Sequence, residues 1–432
     1  MPSSTLLQLV ARGRQDKYLT DNPQLTFFKH VYRRYTPFAI ESIPVEFEGT
    51  ADFGKRISVI IPKKADLLWS MFIEVDLPEM PLLGTTKRYW CNDIGHAMIQ
   101  DISIEIGDKE IDKHTGEWFQ IWTELTTPAS KLDGYRNMVG HWQNYPSLNE
   151  SAGALRLTIP LRFWFCNSIG MALPLVALQA HPVRLIIHLR PFFQLWWIDS
   201  RSANLICPPI ESLPPDRFQL FCDYIFLDTE ERKQFASKEH EYLIEQVQYT
   251  PVQSITAGAL KATVDLNFNH CVKELFWVVQ QDRMETYNEW FNYTNKLEAE
   301  TGTDADLLSS AVLQLDGYDR FQERNALYFR RTQPYQYHTA IPAGVKSYIY
   351  IYSFCLRPEA EQPSGSINCS RIDDIRLVLT FVGNNDCGTV GTIVVGGSTF
   401  PPSSVPRHVV VYGTNYNVLR IVGGLGGLLF YT

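Results

Sequence analysis

From Ile43 onward the apolar residues fall into short runs broken by turn residues, a pattern of strands rather than of helices. Ile43–Glu48, Ile57–Ile61 and Leu67–Val75 are the first three runs. Ile99–Ile106, Leu155–Phe165, Val183–Leu189 and Phe218–Leu227 follow. Roughly eight strands in one unit, with few long helices between them, predict a sandwich or jelly roll.

Phe218–Leu227 is dense in aromatic and branched residues, which suit a packed sheet. At Asp228-Thr229-Glu230-Glu231 it gives way to a helix start, a side-chain acceptor with a Glu three residues on. Phe235, Tyr242, Leu243 and Val247 then predict a helix to about Gln246. The chain beyond this point repeats the plan of the chain before it. Ile102-Ser-Ile-Glu-Ile-Gly-Asp, with a segment through Trp118 and Trp122, is echoed by Val312-Leu-Gln-Leu-Asp-Gly and a segment through Leu327 and Phe329. Leu161-Arg-Phe-Trp-Phe-Cys is echoed by Tyr350-Ile-Tyr-Ser-Phe-Cys, and Val183-Arg-Leu-Ile-Ile by Ile375-Arg-Leu-Val-Leu. The offsets drift over roughly 190–210 residues, as in a duplicated domain with loop insertions. The expected fold class is all-β: two tandem eight-stranded jelly-roll sandwiches at 43–228 and 251–432. A connecting helix occupies 229–250, and residues 1–42 form an N-terminal arm with a short helix.

In that arm Asp21-Asn22-Pro23 reads as a helix start, with Pro at the first helical position. Leu25, Phe28, Val31, Tyr32 and Tyr35 then keep helical spacing, with Lys29, Arg33 and Arg34 on the other side. Arg12, Arg14 and Lys17 make the arm locally basic on an acidic chain. It is either a solvated helix packed on the domain or a docking arm for a partner. Three polar stretches, Pro128–Ala154, Gln280–Ser310 and Pro358–Ser370, are the long loops, where recognition usually sits.

At 432 residues the chain exceeds one core, so two domains of about 200 residues are expected. A net charge of −8 argues against wrapping nucleic acid, which needs clustered positive charge, and no direct sequence-specific binding is expected. No apolar run approaches the roughly 18 residues of a membrane span, and the N-terminus lacks the features of a signal peptide. The 8 cysteines lack CxxC spacing, and several sit in apolar strands. Free thiols in a protein made in the cytosol are the expectation, without structural zinc.

Chemistry is hard to find. Gly49-Thr-Ala-Asp-Phe-Gly54-Lys55-Arg56 nearly spells a P-loop, but Arg replaces the Ser or Thr and a strand follows where a helix should begin. A turn between strands is the better reading. Gly423-Gly-Leu-Gly-Gly427 sits too near the end to open a βαβ unit and more plausibly lets the last strand bend or approach a neighbour closely. Glu110-Ile-Asp112 begins like the paired carboxylates of jelly-roll glycanases, but Lys113-His114-Thr115 stand where the third should be. There is no His-x-His pair, no His-Glu-x-x-His and no Gly-x-Ser-x-Gly. No catalytic residue, metal or cofactor is expected. The sequons at Asn149, Asn292 and Asn368 each fall in a long loop, as candidate glycan sites or by chance.

Longer motifs carry a resemblance. The arm and first strands have Leu6-Leu-Gln-Leu-Val-Ala, Gln15-Asp-Lys-Tyr-Leu-Thr, Asn22-Pro-Gln-Leu-Thr-Phe-Phe-Lys, Phe38-Ala-Ile-Glu-Ser and Ala51-Asp-Phe-Gly-Lys. The joint has Asp223-Tyr-Ile-Phe-Leu-Asp-Thr-Glu-Glu-Arg, and the end has Asn415-Tyr-Asn-Val-Leu-Arg-Ile. With Leu356-Arg-Pro-Glu and Ser370-Arg-Ile-Asp, the chain resembles the major capsid proteins of nucleocytoplasmic large DNA viruses nearly end to end. Arg14, in place of a small residue, is a departure. The resemblance implies a structural subunit whose homotrimers have a pseudo-sixfold outline and tile an icosahedral shell beside neighbouring capsomers. It implies that the connecting helix fixes one roll against the next. It also implies assembly in the host cytoplasm and a place in the virion. The arm, with Arg12, Arg14, Lys17, Arg33 and Arg34, would face inward, toward minor capsid or penton proteins or the internal membrane. The alternatives are a minor capsid paralogue, or a glycan-binding or glycan-cleaving jelly roll with Trp196, Trp197, Tyr287 and Trp290 as stacking surfaces.

Overall fold

The computed structural model describes residues 11, 13–80, 88–141, 154–198, 214–297, 304–342, 347–382, 393–395, 398–400 and 405–431. Met1–Pro37 and Phe38–Thr432 form separate units.

In the first unit the helix α1 is Arg14–Thr20, ahead of the predicted one, and it ends where the predicted helix would begin. The reason is local: Asn22 takes a left-handed φ of 51°, and Pro23 disfavours a helical residue before it. Residues 23–37 are not helical, and Leu25, Phe27, Phe28, Val31, Tyr32 and Tyr35 are exposed. Helical spacing without a surface to bury it on does not sustain a helix.

Apart from a short paired ribbon of Arg88–Trp90 and Trp196–Ile198, the first part of the second unit has eight strands: β1 Phe38–Val45, β2 Arg56–Ile60, β3 Leu67–Leu77, β4 Ile99–Ile106, β5 Lys109–Thr115, β6 Leu155–Pro160, β7 Val183–Leu189 and β8 Arg217–Leu227. They make two four-stranded sheets, β1-β8-β3-β6 and β2-β7-β4-β5. Eight more follow: β9 His240–Tyr249, β10 Lys261–Asp265, β11 Cys271–Gln281, β12 Leu308–Leu315, β13 Tyr318–Asp319, β14 Tyr350–Ser353, β15 Ile375–Phe381 and β16 Arg407–Val422. Their sheets run β9-β16-β11-β14 and β10-β15-β12-β13, with shorter strands added at the margins. Adding eight to each number of the first pair of sheets gives the second pair. The duplication read from three echoes is thus a duplication of topology, a double jelly roll. One echo is out of step: Leu161–Cys166 follows β6 and contains a helical turn, whereas Tyr350–Ser353 is strand.

Each roll has its own core. Met71, Ile73, Val75 and Leu77 alternate inward along β3, and Leu275, Trp277 and Val279 do so along β11. Full burial of each such side chain contributes about 1.5–3 kcal/mol. Gly54 lies in a turn leading into β2, which accounts for the P-loop-like string.

The connecting helix α4 is only Thr229–Ser237. Its predicted cap is present, the Asp228 carboxylate accepting from Glu231 N at 2.8 Å. The predicted continuation to Gln246 is instead strand β9, paired with β16 from His240↔Ile421 to Tyr249↔Tyr412. Tyr242, Ile244, Val247 and Tyr249 favour strand, and a ladder partner outweighed a loose helical spacing. α4 buries no residue, and Arg232 ties it back to Asp66 of the first roll through two bonds of 2.7 and 3.0 Å. Its Phe235 stacks on His240 of β9 at 5.3 Å, but the larger apolar contact that fixes one roll against the other lies elsewhere.

Candidate functional site

The contact between the rolls is the most elaborately built polar and aromatic site among the described residues. Its centre is the helix α2, Gly116–Thr126, which the helix α3, Ala129–Val139, follows. The Thr115 hydroxyl caps it, accepting from Trp118 N at 3.2 Å, and lies 2.9 Å from the Tyr412 hydroxyl of the second roll. Gly116 is required by space, since a Cβ there would stand 2.4 Å from His96 O. α2 has two apolar sides. Phe119 enters the core of its own roll, while Trp118, Ile121 and Leu125 pack on Phe276, Val278, Ile351 and Tyr412 of the other. Trp118 meets Phe276 edge-on at 5.2 Å and Tyr412 at 5.6 Å.

Around that apolar centre lie charges. Asp112 and His114 form a pair at 2.9 Å with both side chains 1% exposed, and the Asp112 carboxylate also accepts from Val247 N at 3.0 Å. The Glu110/Asp112 motif is therefore no carboxylate dyad: Asp112 is buried and holds β9 to β5, while Glu110 is exposed. A bulge in β11 leaves Lys273 outside the ladder. Its ammonium, wholly buried, donates to the Glu245 carboxylate at 2.5 Å and to Pro358 O at 2.8 Å. It also lies 5.8 Å from the rings of Trp122 and Tyr416. Next to it Glu274 meets His338 at 3.1 Å, and His338 meets Glu359 at 2.9 Å. A cleft of about 300 Å³ opens beside this group, lined by Trp122, Arg162, Glu245 and Glu359 among others.

Burial opposes a charge on His338, but Glu274 and Glu359 outweigh it and raise its pKa from 6.5 to about 9. A raised folded-state pKa stabilises fully below 6.5, and that stability is lost as pH rises through about 9. Melting temperatures of the native chain should therefore fall between those limits relative to a His338→Gln variant. Parallel curves from pH 6 to pH 10 would rule this out.

The C-terminal hairpin closes the other end of the contact. Gly426 runs so close to the first roll that a Cβ would meet Leu178 Cδ2 at 2.6 Å, and Ala180 N donates to Gly424 O at 3.0 Å. This is the close approach expected of the terminal glycines. The predicted loop Gln280–Ser310 also packs inward in its described part. Asn288 Nδ2 donates to Trp196 O at 2.7 Å, Trp290 Nε1 to Gln194 O at 2.8 Å, and the Arg190 guanidinium lies 3.6 Å over Trp290. Trp196 and Trp290 are buried, so neither is a sugar platform.

The other predicted site residues are scattered. Arg14, Lys17, Arg33 and Arg34 are exposed along the arm, and Arg12 and Asn149 lie outside the described residues. Asn368 is exposed. Asn292 corrects its expectation as a glycan site: it is 3% exposed, and its Nδ2 donates to Glu289 Oε2 and Lys296 O while its Oδ1 accepts from Thr294. Burial pushes the Cys166 and Cys222 thiols up to about 12, so neither is a reactive thiolate. The residues missed were Lys273 and Glu274. Two adjacent charges inside the apolar run Cys271–Val279 were the available signal.

Residues 26–228 match the family described as major capsid protein N-terminus, and residues 231–427 match large eukaryotic DNA virus major capsid protein. The chain is 39% identical over 453 residues to the major capsid protein of Paramecium bursaria Chlorella virus 1, covering 98% of this chain and 99% of that one. It is 37% identical over 450 residues to that of Pyramimonas orientalis virus, covering 98% of each. The quasi-atomic PBCV-1 virus capsid structure superposes with a TM-score of 0.77 at 34% identity, over 94% of this chain and 100% of that one. The Faustovirus major capsid protein superposes with a TM-score of 0.73 at 13% identity, over 97% and 96%, a likeness of fold.

Proposed function

The chain belongs to the family of large eukaryotic DNA virus major capsid proteins, and from that premise we propose that three copies close into a pseudo-hexagonal capsomer. It is a structural capsid subunit, placed in the capsid beside neighbouring capsomers. The observation that carries the trimer is the strand order, the same in both rolls, so that three chains offer six like walls. In this reading the protein acts by self-association and not by catalysis, and it assembles in the host cytoplasm. The rolls, at 38–227 and 240–428, are the two wall units, with α4 between them.

Purified protein should scatter light as a species near three times 49.6 kDa and give hexagonal outlines in negative stain. A clean monomer over a range of concentrations would overturn the trimer.

The arm extends this reading. Exposed rings at Tyr18, Phe27, Phe28 and Tyr32 beside Arg14, Lys17, Arg33 and Arg34 suit a surface that a partner covers. On the shell's inner side that partner is a minor capsid or penton protein, or the internal membrane. Neutralising Arg12, Arg14, Lys17, Arg33 and Arg34 together should lower particle yield while capsomers still form. An unchanged yield would remove the arm from assembly. Asn149 and Asn368 stay as glycan positions, to be read by the mass of virion-derived protein.

A further inference from the structure

The two rolls share a strand order but not a burial pattern, and the difference locates a surface. β3 and β11 are equivalent and equally long, and their middle residues are Phe72 and Phe276. Each pairs with an aromatic residue of the equivalent neighbour strand, Phe72 with Phe221 on β8 and Phe276 with Tyr412 on β16. All of β11 after Cys271 is buried, because α2 of the first roll covers its outer side. On β3 the outward residues Phe72, Glu74 and Asp76 remain half-buried, and Phe72 stacks on Phe221 at 5.3 Å. Phe38 and Ile40 on the flanking β1 are exposed. The outer face of the sheet β1-β8-β3-β6 is thus the counterpart of a covered face.

The covering element has a counterpart too. After β13 of the second roll, residues 326–337 are helical, as α2 is after β5. Phe329 enters its own core as Phe119 does, and Leu327, Arg331 and Tyr335 form an exposed stripe at successive spacings of four. Tyr335 is 76% exposed. In α2 the positions corresponding to Arg331 and Tyr335 are Ile121 and Leu125, which enter the contact between rolls.

We infer that residues 326–337 of one copy, through Leu327, Arg331 and Tyr335, seat on the outer β1-β8-β3-β6 face of a second copy over Phe72 and Phe221. This repeats between chains the contact that α2 makes within one. Arg331 arrives at a face where Arg156 pairs with Asp76 at 2.7 Å and Arg217 lies 3.9 Å from Glu74, so the acidic group outside those pairs, and the one it would meet, is Asp223. The contact is head-to-tail, and because each chain already holds one such step, a sixfold ring closes with three chains. The inference rests on the trimer reading and names the residues that reading leaves open.

The test uses full-length protein and light scattering. If the native chain is not trimeric, the trimer reading fails before the interface is reached. If it is, Tyr335→Asp and Phe72→Asp should each abolish the trimer at micromolar concentration, with native circular dichroism, while Leu356→Asp, exposed elsewhere, leaves it intact. Should either Asp variant misfold, Arg331→Glu and Asp223→Lys replace them, and both single variants should lose the trimer while the double exchange recovers it. Mixing the Tyr335→Asp and Phe72→Asp chains should give a two-chain species, since one intact joint remains between them. A trimer that survives Tyr335→Asp or Arg331→Glu, or a mixture that stays monomeric, would overturn the inference.

Discussion

Replacing Lys273 with alanine should destabilise the protein by about 3–5 kcal/mol, the usual cost of removing one partner from a buried ion pair. Lys273 is wholly buried, and its ammonium satisfies Glu245 and Pro358 O. Removing it leaves a carboxylate and a carbonyl oxygen without their donor, beside Glu274, which is itself fully buried. Lys273→Met, which keeps most of the volume, should recover only the packing part of the loss. The measurement is the urea midpoint of both variants against the native chain, with the slope checked for constancy. A change below about 1 kcal/mol for the alanine variant, the range of a surface pair, would show that solvent reaches the site.

Trp118→Ala should have an effect of similar size, about 3–5 kcal/mol, for an apolar reason. The indole lies between Phe276 and Tyr412 of the second roll and Trp122 of its own helix. The loss falls on the contact between the rolls rather than on either core. Calorimetry should therefore show the transition broadening or splitting in two, as the rolls unfold less cooperatively. Phe119→Ala, one residue along, empties the core of the first roll instead and should lower stability without splitting the transition. Equal behaviour of the two variants would mean that the rolls are coupled by something other than α2.

Both predictions concern residues whose importance depends on the second roll. Trp118 was visible in the segment through Trp118 and Trp122 that the second half echoes, but spacing cannot say which of two apolar sides meets a foreign surface. Asp112 was legible as half of a carboxylate motif and is a buried tie to β9. The polar loop around Asn292 looked like a surface loop, yet its described part packs against Gln194 and Trp196 of the first roll. In each case composition reported the side chain's chemistry and left its neighbour open.

By itself the sequence determined most of the first roll's strands, the repetition, the start of α4 and the family. These follow from alternation, turn residues and cap chemistry, all of which act within a few residues of chain. The end of α4 at Ser237, the placement of α1, the charges gathered at Lys273 and His338, and the half-buried face over Phe72 and Phe221 were decided by tertiary structure. A ladder partner turns an ambiguous run such as His240–Tyr249 into strand, and burial turns exposed-looking charges into pairs. Neither has a signal in local spacing, because the partners lie from 21 positions away, for His338 and Glu359, to 181, for His240 and Ile421.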